Sequence, residues 1–234
     1  MRVVEDAASD GVERMPLPVI NAGDGANQHP TQGLTDYITI CQERRRQGVK
    51  GHPLENLTLA MVGDIGFSRT VNSLCHLLGR FADLKPTIIF CSHPAIRPKE
   101  GILEYLNRHH VTYEFRHHLK ACLADADAYY MTRIQTERHC AEAKAIFQEI
   151  GDSFVFREGY LDAIRPGAFI MHPMPINRHP KPGDPPPEID SSLSRLARQN
   201  DPRCAWGRQS FRGTIVRYVL LDIIDGQLQA DGWK

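Results

Sequence analysis

Two arginines stand where short apolar runs of the sequence end. Arg69 follows the run 57–62 within the motif GDIGFSRT, and Arg133 follows the run 128–131 within TRIQTER. The guanidinium group of arginine can bond both oxygens of a carboxylate at once. If the two runs are strands of one sheet, the arginines predict a site for a small ligand that carries several negative charges.

A histidine at a helix start is the second candidate for chemistry. His29 lies in the segment NAGDGANQHPTQ and is followed by Pro30, which fits the first turn of a helix because its missing N–H would be unpaired there. The helix dipole disfavours an imidazolium at that end, so we expect a lowered pKa and a neutral imidazole able to polarise a carbonyl group. A purely structural histidine is the alternative at this position.

The elements that would position these residues alternate regularly between residues 57 and 171. The predicted strands are 57–62, 87–91, 111–115, 128–132 and 168–171. The predicted helices are 31–47, 70–81, 101–109, 119–126, 141–150 and 211–224, and 177–187 is a proline-rich surface loop. Apolar runs separated by helices are typical of an α/β fold with a doubly wound parallel sheet. Ligands of such sheets bind beyond the carboxyl ends of the strands, where the segments after 62, 131 and 171 would meet.

Composition excludes several other functions. Lysine and arginine total 28, as do aspartate and glutamate, which argues against a nucleic-acid-binding protein that neutralises phosphates. The chain has no apolar run of the ~18 residues that a membrane span requires. Its six scattered cysteines form no C-x-x-C pair, so we expect no metal site and a cytoplasmic location. The glycines at 63 and 66 match the dinucleotide fingerprint poorly because the third glycine is missing, which leaves a nucleotide site as a minor alternative.

Four segments carry a resemblance to a known family. NAGDGANQHPTQ, GDIGFSRTVNSL, YYMTRIQTER and HPMP, in this order and spacing, resemble the catalytic chain of the aspartate carbamoyltransferases from residue 18 to 175, and more weakly over 206–224. TRIQTER and HPMP are similar to the aspartate branch of the family rather than the ornithine branch. The resemblance implies that the L-aspartate amine attacks carbamoyl phosphate in pyrimidine biosynthesis, without a metal or other cofactor.

The resemblance also implies a role for individual residues. His29 would donate a hydrogen bond to the carbamoyl oxygen, Gln32 would help to hold the carbamoyl group, and the backbone carbonyls of Pro173 and Met174 would accept from its amino group. Arg2 stands where the family has an arginine that contacts phosphate, although Val3-Val4 replace the family's His-Pro after it.

The aspartate side of the site would be formed by three further residues. By the same resemblance, Arg69, Arg133 and Gln135 would bind the two carboxylates of L-aspartate. The expected domains are 1–56, a remnant of the carbamoyl-phosphate domain; 57–205, the aspartate-binding domain; and 206–234, a C-terminal return helix.

The sequence departs from the family pattern in ways that leave two hypotheses open. The family's Ser-x-Arg-Thr-Arg phosphate loop and its lysine-bearing loop are absent from the given sequence, and Ile65-Gly66 stand where the family has Leu-Lys. One hypothesis is a carbamoyltransferase, acting whole or with a complementing chain. The other is a non-catalytic homologue that serves as an amino-acid-binding or scaffold subunit.

The last predicted helix bears a wide apolar stripe, at Ile215, Val219, Leu220 and 223–224. In the family this helix packs on the N-terminal domain. Leaving several such side chains exposed would forgo several kcal/mol at ~25 cal/mol per Å². We therefore expect a homo-oligomer, a trimer by resemblance, or a partner chain that covers the helix.

Overall fold

A five-stranded parallel sheet forms the centre of the protein. The computed structural model describes residues 19–135, 145–146, 151–178, 180 and 184–230, with the backbone alone for 227–230. The strands are β1 (Thr58–Gly63), β2 (Thr87–Cys91), β3 (Thr112–Arg116), β4 (Ala128–Thr132) and β5 (Phe169–Met171). Their order across the sheet is β3-β2-β1-β4-β5. Strands are therefore added on one side of β1 up to β3 and on its other side from β4 onwards. An open α/β sheet has its ligand crevice at this change, between β1 and β4.

Five helices accompany the sheet in the described part of the chain. They are α1 (Pro30–Arg46), α2 (Arg69–Gly79), α3 (Glu100–Arg108), α4 (Ser191–Arg198) and α5 (Trp206–Ala230). Short 3-10 helices occur at Ala82–Leu84, Leu119–Cys122, Gly151–Phe154 and Glu158–Tyr160. Side-chain caps begin two of the helices: the Ser68 hydroxyl accepts from the Val71 amide, and the Asp190 carboxylate accepts from the Ser192 amide.

Both faces of the sheet are covered by apolar side chains. One cluster joins the sheet to α1, α2 and α3, through Ile40, Leu74 and Leu106 among others. The second cluster lies on the opposite face and includes Leu193 of α4 and Trp206 of α5. Strand β4 is buried along its whole length, as a strand between two covered faces must be. The α/β fold with a doubly wound parallel sheet, predicted from the sequence, is confirmed.

Several predicted elements differ from the observed ones. The helix predicted over 119–126 is wrong. The segment forms a 3-10 helix of four residues, Leu119–Cys122, followed by a turn, and its two leucines are buried from there. Helix α4 was not predicted, although Leu193, Leu196 and Ala197 have helical spacing and pack on one apolar cluster, because a helix of eight residues shows this spacing only once. Helix α5 begins earlier and ends later than 211–224. Of the predicted helix 141–150, only 145–146 are described, and both are helical.

No helix of the described residues combines the length and the apolar character needed to cross a membrane.

Candidate functional site

His29 is fixed by contacts of its backbone. It precedes α1 as the N-cap residue, with Pro30 in the first turn, but its side chain does not cap the helix. Its amide donates to the Ser73 hydroxyl over 2.7 Å, and that hydroxyl donates to the Gln28 side chain over 2.6 Å. The Thr31 hydroxyl lies 3.5 Å from Nδ1 of the imidazole.

The environment of His29 keeps its ring neutral. Its pKa is lowered to about 4, mainly by partial burial and then by the positive charges of Arg69 and Arg217. The lowered pKa agrees with the expectation from the helix position, but burial and two guanidinium groups account for it. At neutral pH the imidazole can donate one hydrogen bond from one ring nitrogen without carrying a charge.

Arg69 lies against the loop that leads to His29. It is the first residue of α2, directly after the capping Ser68. A methyl group placed on Gly23 would lie 2.5 Å from Nη1 of Arg69, so the guanidinium packs on the bare backbone of that glycine. Gly23 also has a φ of +136°, which side-chain-bearing residues rarely adopt. Gly23 thus leaves space for the guanidinium of Arg69.

A buried carboxylate connects the ends of β1 and β4. Asp64 is fully buried, accepts from the Phe67 amide over 3.2 Å, and accepts from the Gln135 amide over 3.1 Å. The last residues of the two strands, Gly63 and Thr132, are partners in the sheet register. The loop that leads to Arg69 and the segment 133–135 are therefore held together at one edge of the sheet.

The end of β5 forms a tight turn beside that edge. The amide of buried His172 donates to the Gln209 side chain over 2.8 Å, and the Met174 amide donates to Nδ1 of His172 over 2.9 Å. Met174 has a positive φ of 59° and is followed by a cis peptide bond to Pro175. Within the described residues, the carbonyls of Pro173 and Met174 accept no hydrogen bond, which leaves them available to a ligand amino group.

Gln32 is tied into the core. Its side-chain amide donates to the carboxyl group of Asp36 over 2.7 Å, and the residue is buried. Arg2, the expected phosphate contact, lies outside the described residues. Among those residues, no group of three or more histidine, cysteine, aspartate or glutamate side chains could hold a metal ion.

Sequence reasoning missed three residues of this region: Asp36, Asp64 and Arg217. Arg217 is half-buried on α5, donates to the Gly213 carbonyl over 2.8 Å, and acts electrostatically on both His29 and Asp36. A methyl group on Gly213 would lie 2.8 Å from Nη1 of Arg217, so this glycine again makes room for a guanidinium. Helix α5 carries several other polar residues, so no local signal distinguishes Arg217 from them.

Comparisons with known proteins match this geometry to one family. The family described as "Aspartate/ornithine carbamoyltransferase, Asp/Orn binding domain" matches residues 55–199, more than half of the chain. The chain belongs to the aspartate carbamoyltransferase family. The matched range contains β1 to β5 and α2 to α4, and hence the three strand ends that form the crevice.

Individual family members cover most of this chain. It is 32% identical to the aspartate carbamoyltransferase catalytic subunit of Phocaeicola vulgatus over 224 residues, which is 95% of this chain and 66% of that one. It is 33% identical to the chloroplastic aspartate carbamoyltransferase 1 of Pisum sativum over 89% of this chain and 48% of that one. The chain thus spans about half to two thirds of the length of these relatives.

Solved structures of family members have the same fold. The Trypanosoma cruzi aspartate transcarbamoylase in complex with carbamoyl phosphate and aspartate is similar with a TM-score of 0.72 and 27% identity, over 92% of this chain and 63% of that one. The catalytic subunit of M. jannaschii aspartate transcarbamoylase is similar with a TM-score of 0.72 and 30% identity, over 95% of this chain and 64% of that one.

Proposed function

We propose that the chain takes part in carbamoyl transfer from carbamoyl phosphate to the amine of L-aspartate, the reaction that its family implies. The support is the family membership together with the polar groups gathered at the ends of β1, β4 and β5. The amine would form a C–N bond to the carbamoyl carbon as the C–O bond to phosphate breaks. The proton that the amine loses would leave with phosphate or water. The protein's contribution would be orientation and electrostatic stabilisation.

We assign the carboxylates of L-aspartate to Arg69, Arg133 and Gln135. The shared contact of their loops with buried Asp64 supports this assignment, because it fixes the two segments relative to each other. Guanidinium groups that follow two different strands suit a ligand whose two carboxylates lie a few bonds apart.

We assign the carbamoyl group to His29, Gln32 and the carbonyls of Pro173 and Met174. A neutral imidazole would donate a hydrogen bond to the carbamoyl oxygen and stabilise the negative charge that develops on it. The two carbonyls would accept from the carbamoyl amino group, and Gln32 would hold the group from the side of α1. Arg2 remains the proposed phosphate contact.

We further propose that another chain covers α5, either a second copy in a homo-oligomer or a complementing chain. Large apolar side chains are exposed along this helix: Phe211, Ile215, Tyr218, Val219, Leu221 and Ile223. The groove between α1 and α5 has a volume of about 620 Å³ and is lined by several of them. Contiguous exposed apolar surface on this scale marks an interaction site. In this assignment 1–56 and 206–234 belong with a carbamoyl-phosphate lobe, and 57–205 form the aspartate lobe.

The observation that supports the proposed reaction most directly is the environment of His29, whose pKa is lowered by partial burial and by the charges of Arg69 and Arg217. Calorimetry with N-(phosphonacetyl)-L-aspartate tests it. Arg69→Ala should weaken binding about tenfold to a hundredfold, because charge-assisted hydrogen bonds to a carboxylate are lost. Arg80→Ala is the matched control, since Arg80 is exposed at the other end of α2. Wild-type protein that fails to bind the analogue, or equal binding by both variants, would remove the assignment.

One observation favours a second candidate, an amino-acid-binding subunit without catalysis. A side chain at position 66, where the family has a lysine, would begin with a Cβ atom 2.9 Å from the Arg97 carbonyl. The loop after β2 therefore occupies the space that the family's lysine would need. Formation of N-carbamoyl-L-aspartate from the two substrates separates the candidates: binding of the analogue without turnover would favour the subunit.

A further inference from the structure

Asp36 is a buried acid that the proposed reaction does not use. It lies on α1, is fully buried, and accepts three hydrogen bonds of 2.7 Å each from side chains of three different elements. Gln32 of α1 and Gln209 of α5 donate to one carboxyl oxygen, and Tyr130 of β4 donates to the other. Tyr130 stands three residues before Arg133, so this contact reaches close to the end of β4.

The same carboxyl group is connected to the end of β5. Gln209 uses its amide nitrogen for Asp36 and its amide oxygen for the backbone N–H of His172. The His172 ring in turn accepts from the Met174 amide. Two side chains therefore join Asp36 to the turn that presents the carbonyls of Pro173 and Met174.

Stability alone gives no reason for an acid at this place. A carboxyl group removed from water carries a desolvation cost, and well-packed apolar residues of similar volume are often equal or better for stability. What an acid provides here is directional acceptance from three partners, which apolar packing would not reproduce.

We infer that Asp36 is a positioning residue of the proposed site, which sets the places of Gln32, the end of β4 and the carbonyls after β5 relative to one another. This inference rests on the proposed function for its ligand. The connection of Asp36 to the turn after β5 can be tested without a ligand.

The first experiment measures hydrogen exchange in the full chain. Asp36→Ala should speed exchange of the His172 amide about tenfold, which corresponds to the loss of one buried hydrogen-bond connection. Asp36→Asn keeps an acceptor for both glutamine amides and should restore slow exchange. The amides of β2 should exchange at wild-type rates in all variants. Thr39→Val is the matched control, because it removes a different buried hydrogen bond of α1, to the Thr35 carbonyl.

A second variant covers the case in which Asp36→Ala does not fold. Gln209→Met breaks the connection to His172 but leaves Asp36 with Gln32 and Tyr130, and should also speed exchange at His172. Unchanged exchange at His172 in the folded variants, or an equal increase in Thr39→Val, would overturn the inference.

The ligand experiment separates this inference from the proposed function. With all proteins fully folded, Asp36→Ala or Gln209→Met should weaken N-(phosphonacetyl)-L-aspartate binding about tenfold, and Asp36→Asn should bind nearly as the wild type does. Wild-type protein without affinity for the analogue would refute the proposed function, and the exchange results would still decide the connection. Full affinity in Asp36→Ala or Gln209→Met would refute the positioning role.

Discussion

Replacing Asp36 by asparagine should change how stability depends on pH. Burial raises the pKa of Asp36 from 3.8 to about 7, although the hydrogen bonds from Tyr130, Gln32 and Gln209 and the charge of Arg217 act against the increase. Between these two pKa values the folded protein binds one proton that the unfolded chain has released. Stability from this group is therefore fully present below about pH 4 and is lost as the pH rises through 7.

The size of the effect follows from that shift. Each pH unit in this window costs about 1.4 kcal/mol of unfolding free energy, so the whole window costs on the order of 4 kcal/mol. The asparagine side chain has a similar shape but does not titrate, so the variant should escape this loss. The advantage of Asp36→Asn over the wild type should grow by about 1.4 kcal/mol per pH unit from pH 4 to 7, and stay constant above.

Urea unfolding of both proteins at constant ionic strength, from about pH 4.5 to 8.5, measures this difference. His29 acts in the opposite sense, because its lowered pKa makes stability fall as the pH drops below about 6.5. That contribution is common to both proteins and cancels in the difference. Thr39→Val should differ from the wild type by an amount that does not depend on pH. A flat difference for Asp36→Asn, or one that falls with rising pH, would refute the reasoning.

Three further predictions concern the loop, the imidazole and the exposed helix. Gly23→Ala should destabilise the protein by more than about 1 kcal/mol and weaken analogue binding, because the alanine would be strained at a φ of +136° and would collide with the Arg69 guanidinium. Gly25→Ala has open space around its added methyl group and should leave analogue binding unchanged. Thermal unfolding measures the stability of both variants and calorimetry measures their binding. The His29 ring should stay neutral down to about pH 5 in an NMR titration, and Arg69→Ala should raise its pKa; a wild-type value near 6.5 would contradict this. Ile215→Glu should shift the protein towards monomers in light scattering over a concentration series, and a wild type that is monomeric throughout and binds no apolar dye would count against association.

The parallel sheet could be predicted because its signal is local. Apolar runs of about five residues, separated by helical periodicity, appear directly in the sequence. The same rule predicted that residues after β1, β4 and β5 share one edge of the sheet, since parallel strands end together. Helix α2, with eleven residues, was predicted from its apolar spacing, whereas the eight-residue α4 was not, although Leu193, Leu196 and Ala197 have the same kind of spacing.

The connections among the site residues could not be predicted in this way. The bond between Gln209 and Asp36 joins residues 173 positions apart, and that between Gln135 and Asp64 joins residues 71 apart. Nothing in the local sequence distinguishes an aspartate that will accept such bonds from one that faces water. Tertiary packing determines its partners, and the hydrophobic periodicity of the sequence carries no information about them.

The two buried aspartates stabilise different parts of the crevice. Asp64 connects the segments after β1 and β4, whereas Asp36 connects α1, β4 and, through Gln209, the turn after β5. Asp36 contacts β4 itself and Asp64 contacts the segment after it, so a displacement at any of the three strand ends must disturb a bond to a buried carboxyl group, directly or through Gln209. Because such groups reduce stability unless their bonds are kept, the fold penalises distortion of the crevice more strongly than an apolar core would. A rigid crevice of this kind suits electrostatic stabilisation, in which the donors must already be in place when charge develops on the substrate.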